Sequence, residues 1–226
     1  MAANTTLSSP YWLAVAVLAG TLAGCHSGPF APKERTSIVT PHTRIAAIEE
    51  TASKADGSQS EEQIDLTNRL AQQIQSESDP VVRRSIQRAI GEFRTPMARS
   101  VLLAGLQDTD PKVRITCCAK LGERGESMAV PALARVLQSD EEFDVRIAAV
   151  DALGLIDSPA AVQALGKALA DRDPAMQFAG IQALKDSTGE SFNGDVESWQ
   201  QYVNSRTPAA SDTVQLAEQP GETNRF

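Results

Sequence analysis

The ten residues VRIAAVDALG at positions 145–154 decide the fold, because their pattern recurs four times along the chain. Each copy begins with Val or Met followed by Arg or Gln, and an aliphatic residue stands eight positions after the first member. The four doublets are Val82-Arg83, Val113-Arg114, Val145-Arg146 and Met176-Gln177. Their second members are 31, 32 and 31 residues apart (114−83, 146−114 and 177−146). A steady period in the thirties predicts a stack of similar units.

The residues around each doublet predict a helix with a defined start and end. An Asp-Pro pair precedes three of the doublets, and Glu142-Phe143 takes its place in the third unit. Asp accepts hydrogen bonds from the free amides of a first turn, and Pro fits the first helical position. In three units a glycine follows the aliphatic residue, and we interpret it as a helix stop. These glycines are Gly91, Gly122 and Gly154.

A second helix precedes each of these helices. Its signature is a pair of aliphatic residues four positions apart, which lie on one face of a helix. The pairs are Leu70 and Ile74, Leu102 and Leu106, Leu133 and Leu137, and Leu165 and Leu169. The four predicted units, 63–93, 95–125, 127–157 and 158–189, are therefore helix pairs that bury their apolar faces by stacking.

The combination of Asp-Pro, the Val-Arg doublet and a small-residue helix ending in Ala-Leu-Gly resembles the HEAT repeat, particularly the short type of phycobilisome lyase HEAT-like proteins. The resemblance covers residues 63–189 and implies an all-α fold, an α-solenoid (superhelix) of about four HEAT-type helix-pair repeats. It also implies that each doublet Arg pairs with the capping Asp of a neighbouring unit. Stacked repeats offer extended surface, so we expect a protein-binding scaffold and not an enzyme. A lyase-like or catalytic accessory role is the alternative.

The first 25 residues resemble a bacterial lipoprotein signal peptide. Residues 11–24 form an apolar run that is too short to span a membrane. The run ends in Leu22-Ala23-Gly24-Cys25, which is similar to a lipobox, although no Lys or Arg precedes it. The resemblance implies cleavage before Cys25, lipidation of its thiol and anchoring on the periplasmic side of the cell envelope. His26 in place of Asp slightly favours the outer membrane. A buried N-terminal helix with an incidental cysteine is the alternative.

The remaining segments frame the repeats. Residues 26–43 are rich in Pro, Ser and Thr and are predicted to be a flexible tether. Residues 44–62 are predicted to hold one amphipathic helix and a linker. Residues 190–205 carry Trp199 and Tyr202 and are predicted to cap the open end of the core. The polar residues 206–226 are predicted to be disordered.

The sequence offers little for catalysis or metal binding. HEAT-repeat deoxyhypusine hydroxylases carry iron on His-Glu pairs, but the only histidines, His26 and His42, are followed by Ser27 and Thr43. Cys117 and Cys118 fall inside a repeat helix, where buried, inert thiols are expected. We therefore predict no cofactor, no metal site and no catalytic residue.

Charge is distributed unevenly along the chain. The net charge of −8 argues against general nucleic-acid binding. Residues 80–125 nevertheless hold nine basic and four acidic residues (9−4=+5), whereas residues 126–190 hold five basic and eleven acidic ones (5−11=−6). Arg84, Arg88 and Lys120 are therefore candidate contributors to an anion-binding surface on the first two units. An ordinary solvated surface and a site for an acidic envelope polymer are the alternatives, and the protein partner and the oligomeric state stay open.

Overall fold

A computed structural model describes residues 40–206, which form ten α-helices and one short 3-10 helix at Ser127–Ala129. No strand occurs within this range. The α-helices are α1 (Pro41–Ala52), α2 (Glu61–Ser76), α3 (Pro80–Glu92), α4 (Pro96–Gly105), α5 (Pro111–Glu123), α6 (Val130–Ser139), α7 (Phe143–Gly154), α8 (Pro159–Leu169), α9 (Pro174–Thr188) and α10 (Val196–Ser205). The predicted all-α solenoid is confirmed, and each of the four predicted units contains one helix pair, from α2 and α3 to α8 and α9.

The helix starts follow the capping chemistry of the sequence. The carboxylate of Asp79 accepts a hydrogen bond from the Val81 amide at 2.9 Å, and Asp173 accepts one from the Ala175 amide at 2.8 Å. Pro follows each of these residues as the first helical residue. In α7, Glu142 makes no side-chain capping bond. The departure at Glu142-Phe143 therefore leaves α7 without a side-chain cap at its start.

The helices form two layers that run the length of the stack. The inner layer consists of α1, α3, α5, α7 and α9, and the outer layer consists of α2, α4, α6 and α8, with α10 beside α8. Successive inner helices pack more closely than successive outer helices. The inner layer is therefore the more tightly packed of the two. The first residues of the four doublets, Val82, Val113, Val145 and Met176, are fully buried between the layers.

The glycines interpreted as helix stops have a second role. Gly91 and Gly122 lie inside their helices, which continue to Glu92 and Glu123. A Cβ atom on Gly122 would stand 2.7 Å from the Cα of Ala152 in the next inner helix. A Cβ on Gly154 would stand 2.9 Å from the Cβ of Ala183. Although α7 ends at Gly154 and α5 ends one residue after Gly122, glycine is required at both positions because successive inner helices touch there, backbone against side chain.

Helix α1 is an integral part of the inner layer. It begins at Pro41, inside the segment predicted as tether, because the Thr40 hydroxyl caps it and Pro41 occupies the first turn. It packs on α3, and its sequence Pro41-x-x-Arg44 matches Pro80-x-x-Arg83 of that helix. The tether boundary at residue 43 was therefore wrong. The match was missed because Thr43, not Val or Met, precedes the arginine.

Helix α10 closes the outer layer in a reversed direction. The Gln200 side chain donates to the Leu169 carbonyl at 3.4 Å, and the Gln163 side chain donates to the Arg206 carbonyl at 3.3 Å. These contacts make α10 antiparallel to α8. Trp199 is buried, with its ring centroid 4.8 Å from that of Phe192.

The predicted signal peptide, Cys25 and most of the tether lie outside the described residues, as does the predicted disordered tail beyond Arg206. Among residues 40–206, no helix has the length and apolar character needed to cross a membrane.

Candidate functional site

Two doublet arginines link neighbouring units through bidentate ion pairs. Arg83 donates to both carboxylate oxygens of Asp108 at 2.8 and 2.7 Å, and Arg114 donates to both oxygens of Asp140 at 2.8 Å. All four side chains are largely buried, with exposed fractions between 9% and 15%. The partner is the acid two residues before the capping residue, not the capping Asp that we expected. At the first of these links, the capping carboxylate of Asp110 is already occupied by the Lys112 and Val113 amides of the first helical turn.

Each of these acids holds a second bond that fixes the loop between units. Asp108 accepts a hydrogen bond from the Asp110 amide at 2.9 Å, and Asp140 accepts one from the Glu142 amide at 3.0 Å. Burial alone would raise the pKa of both carboxyls. The hydrogen bonds from arginine and amide outweigh burial and hold each pKa below its usual value of 3.8. Both acids are therefore ionised and structural at neutral pH.

The series of ion pairs between units begins already at α1, before the first predicted unit, and ends before the link between the third and fourth units. Arg44 of α1 pairs with Glu77 at 3.1 Å, which extends the series to the first inner helix. Arg146 of α7 has no carboxylate partner in the described part of the chain, and its Nε is buried without a hydrogen bond. Its guanidinium lies 5.5 Å from the ring centroid of Phe143. The link between the third and fourth units therefore depends on apolar packing.

Further basic residues of the first two units are also neutralised within the chain. Arg124, which is almost fully buried, and Arg99 both pair with Glu126, at 2.7 and 3.3 Å. Arg124 also donates to the Phe93 carbonyl, and Arg94 donates to the Arg124 carbonyl at 3.1 Å. Most of the basic excess between residues 80 and 125 is therefore used in packing the units together.

Lys120, a predicted contributor to the anion-binding surface, belongs to this structural group. Its Nζ donates to Glu123 at 2.7 Å and to Glu92 at 3.0 Å, and only 17% of its side chain is exposed. Burial alone would lower the pKa of Lys120, but the hydrogen bonds to the two acids outweigh it and raise the pKa. Lys120 offers no uncompensated charge to a ligand because two carboxylates of its own chain already neutralise it.

Arg84, Arg88 and Lys112 are the cations left over on the inner layer of these units. None of them makes an ion pair within residues 40–206. Arg84 and Arg88 are four residues apart on α3, and Lys112 occupies the position of Val81 one unit later (81+31=112). Arg88 lines a small recess with Glu49 and Glu92. Lys112 was missed from the sequence. Its repeat position is the feature that marks it: the equivalent residue one unit earlier, Val81, is 49% exposed, so a lysine at this position faces solvent.

The inner face changes sign one unit further along. Asp144 and Asp151 of α7 are exposed and occupy the repeat positions of Lys112 and Arg88. Partial burial raises the pKa of Asp151 above its usual value. The inner face therefore presents cations on α3 and α5 beside carboxylates on α7, a pattern suited to an extended ligand of mixed or acidic charge.

The structure offers no assembled catalytic group in its described range. Burial raises the pKa of the Cys118 thiol to about 12 and raises the pKa of the Cys117 thiol well above its usual value, so neither forms a thiolate near neutral pH. No cluster of His, Cys, Asp and Glu suited to a metal ion occurs between residues 40 and 206. The main recesses are open grooves between helices.

One solved structure to which the chain is similar is human deoxyhypusine hydroxylase in complex with glycerol. The two are 28% identical with a TM-score of 0.50, over 55% of this chain and 44% of the human protein. The chain thus spans less than half of that enzyme. Because this sequence has no His-Glu pair, its residues do not fit the iron site that such a resemblance would imply. A comparison with curated proteins found no match.

The repeat itself is matched by a family model. The model for HEAT repeats matches residues 67–153 and again residues 131–195, which together make up more than half of the chain. The matched ranges include the four helix pairs from α2 to α9 almost completely. The chain therefore belongs to the HEAT repeat family.

Proposed function

We propose that this protein is a membrane-tethered HEAT-repeat scaffold of the bacterial envelope whose inner face binds an acidic segment of a protein partner. The observation that carries the proposal is the set of unpaired cations Arg84, Arg88 and Lys112 on a face where most other arginines and Lys120 are neutralised. Uncompensated cations on neighbouring helices attract carboxylates and steer their approach. The open, extended face suits a chain-like ligand better than a small molecule.

Charge reversal on the inner face is expected to abolish partner capture. In pull-downs from a detergent extract of the envelope, the variant Arg84→Glu/Arg88→Glu should capture at least about tenfold less partner than the native chain, because attraction becomes repulsion. Captured protein is quantified by mass spectrometry at low and high salt. Binding by the native chain should weaken as salt screens the charges.

A matched control separates the inner face from net charge. Arg135 and Lys167 are exposed on the outer helices α6 and α8, so Arg135→Glu/Lys167→Glu changes the charge equally on the other layer. This control should capture the partner normally. If both variants lose it alike, or if neither does, the inner face is not the binding surface. Capture of a polysaccharide in place of protein would favour an acidic envelope polymer as the ligand.

The lipobox resemblance at Leu22-Ala23-Gly24-Cys25 supports the tether. We expect radiolabelled palmitate to be incorporated into the native chain and not into Cys25→Ala, because the thiol is the acceptor. The native chain should sediment with the membranes. Cys117→Ala is the control, since Cys117 is buried and should not accept lipid. A native chain that takes up no label and stays in the soluble fraction would rule out the anchor.

A further inference from the structure

The described solenoid begins and ends with half a unit. It begins with the inner helix α1, before which no outer helix stands within residues 40–206, and it ends with α10, which no inner helix follows in that range. Within this range, one end of the stack therefore exposes an inner helix that lacks an outer partner, and the other end exposes an outer helix that lacks an inner partner. A second copy placed end to end would supply an inner helix where the first copy lacks one.

The stack itself defines how one inner helix meets the next. Gly122 faces Ala152 and Gly154 faces Ala183 across successive inner helices. Gly122 and Gly154 each stand nine positions after the first member of their own doublet (122−113 and 154−145). Ala152 and Ala183 each stand seven positions after the first member of theirs (152−145 and 183−176). This register predicts what would touch at any further inner-helix contact.

The last inner helix leaves its contact face open. On α9 the register places Lys185 where earlier units have glycine (185−176=9), and Lys185 is exposed. Phe178, two turns earlier, is 63% exposed, whereas Ile147 at the same position of α7 is half-buried. Phe178 and Lys185 line a groove of about 450 Å³ whose other wall includes Trp199. The Trp199 Nε1 is buried and has no acceptor in the described part of the chain.

The first inner helix carries an exposed face that matches this groove. With Thr43 as the equivalent of the first doublet residue, the register places Glu50 opposite the next glycine position (43+7=50). The Glu50 side chain is 74% exposed, and Thr43 and Ala46 are also exposed. Glu50 pairs with Lys54 of its own helix at 3.3 Å, an exposed pair of the kind that contributes little and can exchange partners. Glu50 would face Lys185 with opposite charge, and Phe178 would lie over the small residues Thr43 and Ala46.

We propose that the protein associates head to tail with a second copy, with α1 of one chain packed on α9 of its neighbour. The contact continues the stacking that already joins the inner helices, and a heterologous contact of this kind can extend into a row of copies. Lysine in place of glycine at position 185 prevents the closest backbone approach. The contact is therefore looser than those within the chain and reversible with concentration.

The test is sedimentation equilibrium of the purified full chain in density-matched detergent. The native chain should show a weight-average mass that rises with concentration above the mass of one copy, which mass spectrometry of the same sample gives. Glu50→Lys and Lys185→Glu should each weaken association at least about fivefold, because each places like charges opposite one another. The double variant Glu50→Lys/Lys185→Glu should restore it. Glu49→Lys makes the same charge change beside the contact and should leave association unchanged.

Two further variants decide between occupants of the groove. Phe178→Glu should abolish association without lowering the melting temperature, because Phe178 is exposed in the single chain. Removal of residues 207–226 should leave association intact. A native chain that stays at the mass of one copy at all concentrations overturns the proposal. Failure of the double variant Glu50→Lys/Lys185→Glu to regain association also overturns it, because that result is expected if α9 contacts α9 of the second copy. Association that strengthens on removal of 207–226 would mean that this segment occupies the groove instead.

Discussion

The substitution Gly122→Ala is expected to destabilise the protein by about 2 kcal/mol, although alanine is the better helix former. The added Cβ would stand 2.7 Å from the Cα of Ala152, so the backbones of α5 and α7 must move apart. Forced overpacking of this kind costs about 1–3 kcal/mol, more than the gain in helix propensity. Thermal unfolding followed by circular dichroism should show a melting temperature about 4–8 °C lower.

Gly91→Ala is the matched control for this prediction. Gly91 occupies the same position one unit earlier, but there the added Cβ would meet the side chain of Lys120. The Lys120 side chain can change rotamer at the cost of its bonds to Glu92 and Glu123, whereas the Ala152 backbone cannot give way in this manner. The loss in the free energy of unfolding should therefore be smaller than for Gly122→Ala, about 1 kcal/mol. Equal losses for the two variants would show that glycine serves a local purpose at this position, as a helix stop would, and not close helix contact.

The substitution Arg114→Ala is expected to have the larger effect, a loss of about 3 kcal/mol in the free energy of unfolding. It removes both hydrogen bonds to Asp140 and leaves that carboxylate, only 9% exposed, without its cation. An unpaired buried charge is far more costly than the pair that it replaces. Urea unfolding at pH 7 measures the loss. We expect the midpoint to fall while the slope is unchanged.

The loss should depend on pH in a defined direction. Burial acts to raise the pKa of Asp140, but its hydrogen bonds hold it below 3.8 in the folded protein. The stability that the pair contributes is therefore present above that pH and lost as the pH falls through the folded pKa. The difference between the native chain and Arg114→Ala should accordingly shrink in acid.

Arg146→Ala provides the control, because the same repeat position one unit later has no carboxylate partner within residues 40–206. Its guanidinium contacts the ring of Phe143, and loss of that contact should cost no more than about 1 kcal/mol. If Arg146→Ala is as destabilising as Arg114→Ala, the arginine acts through its own helix and not through the pair between units.

The features that the sequence predicted best are those that depend on interactions between residues close together in the chain. The spacing of the doublets, the Asp-Pro starts and the four-residue aliphatic pairs located all four helix pairs, because capping and helical periodicity depend on residues within one or two turns. The sequence predicted a helix within residues 44–62 but not its start at Pro41 or its place in the inner layer, because Thr43 replaces the expected Val or Met. It also missed the second role of the glycines, because helix ends and close helix contacts both favour glycine and only the neighbouring helix reveals the contact.

The sequence by itself thus determined the solenoid, its number of helix pairs and the general location of its basic charge. Only the tertiary structure decided which charges are free. Arg83, Arg114 and Lys120 are neutralised by acids 25 to 28 residues away, contacts that exist only after the units have stacked. Arg84 and Lys112 make no ion pair within residues 40–206, because no acid of a neighbouring unit reaches them after stacking. The sequence determines the number and position of the charged residues, but the packing of the units decides which of them are paired within the chain and which can contact a partner.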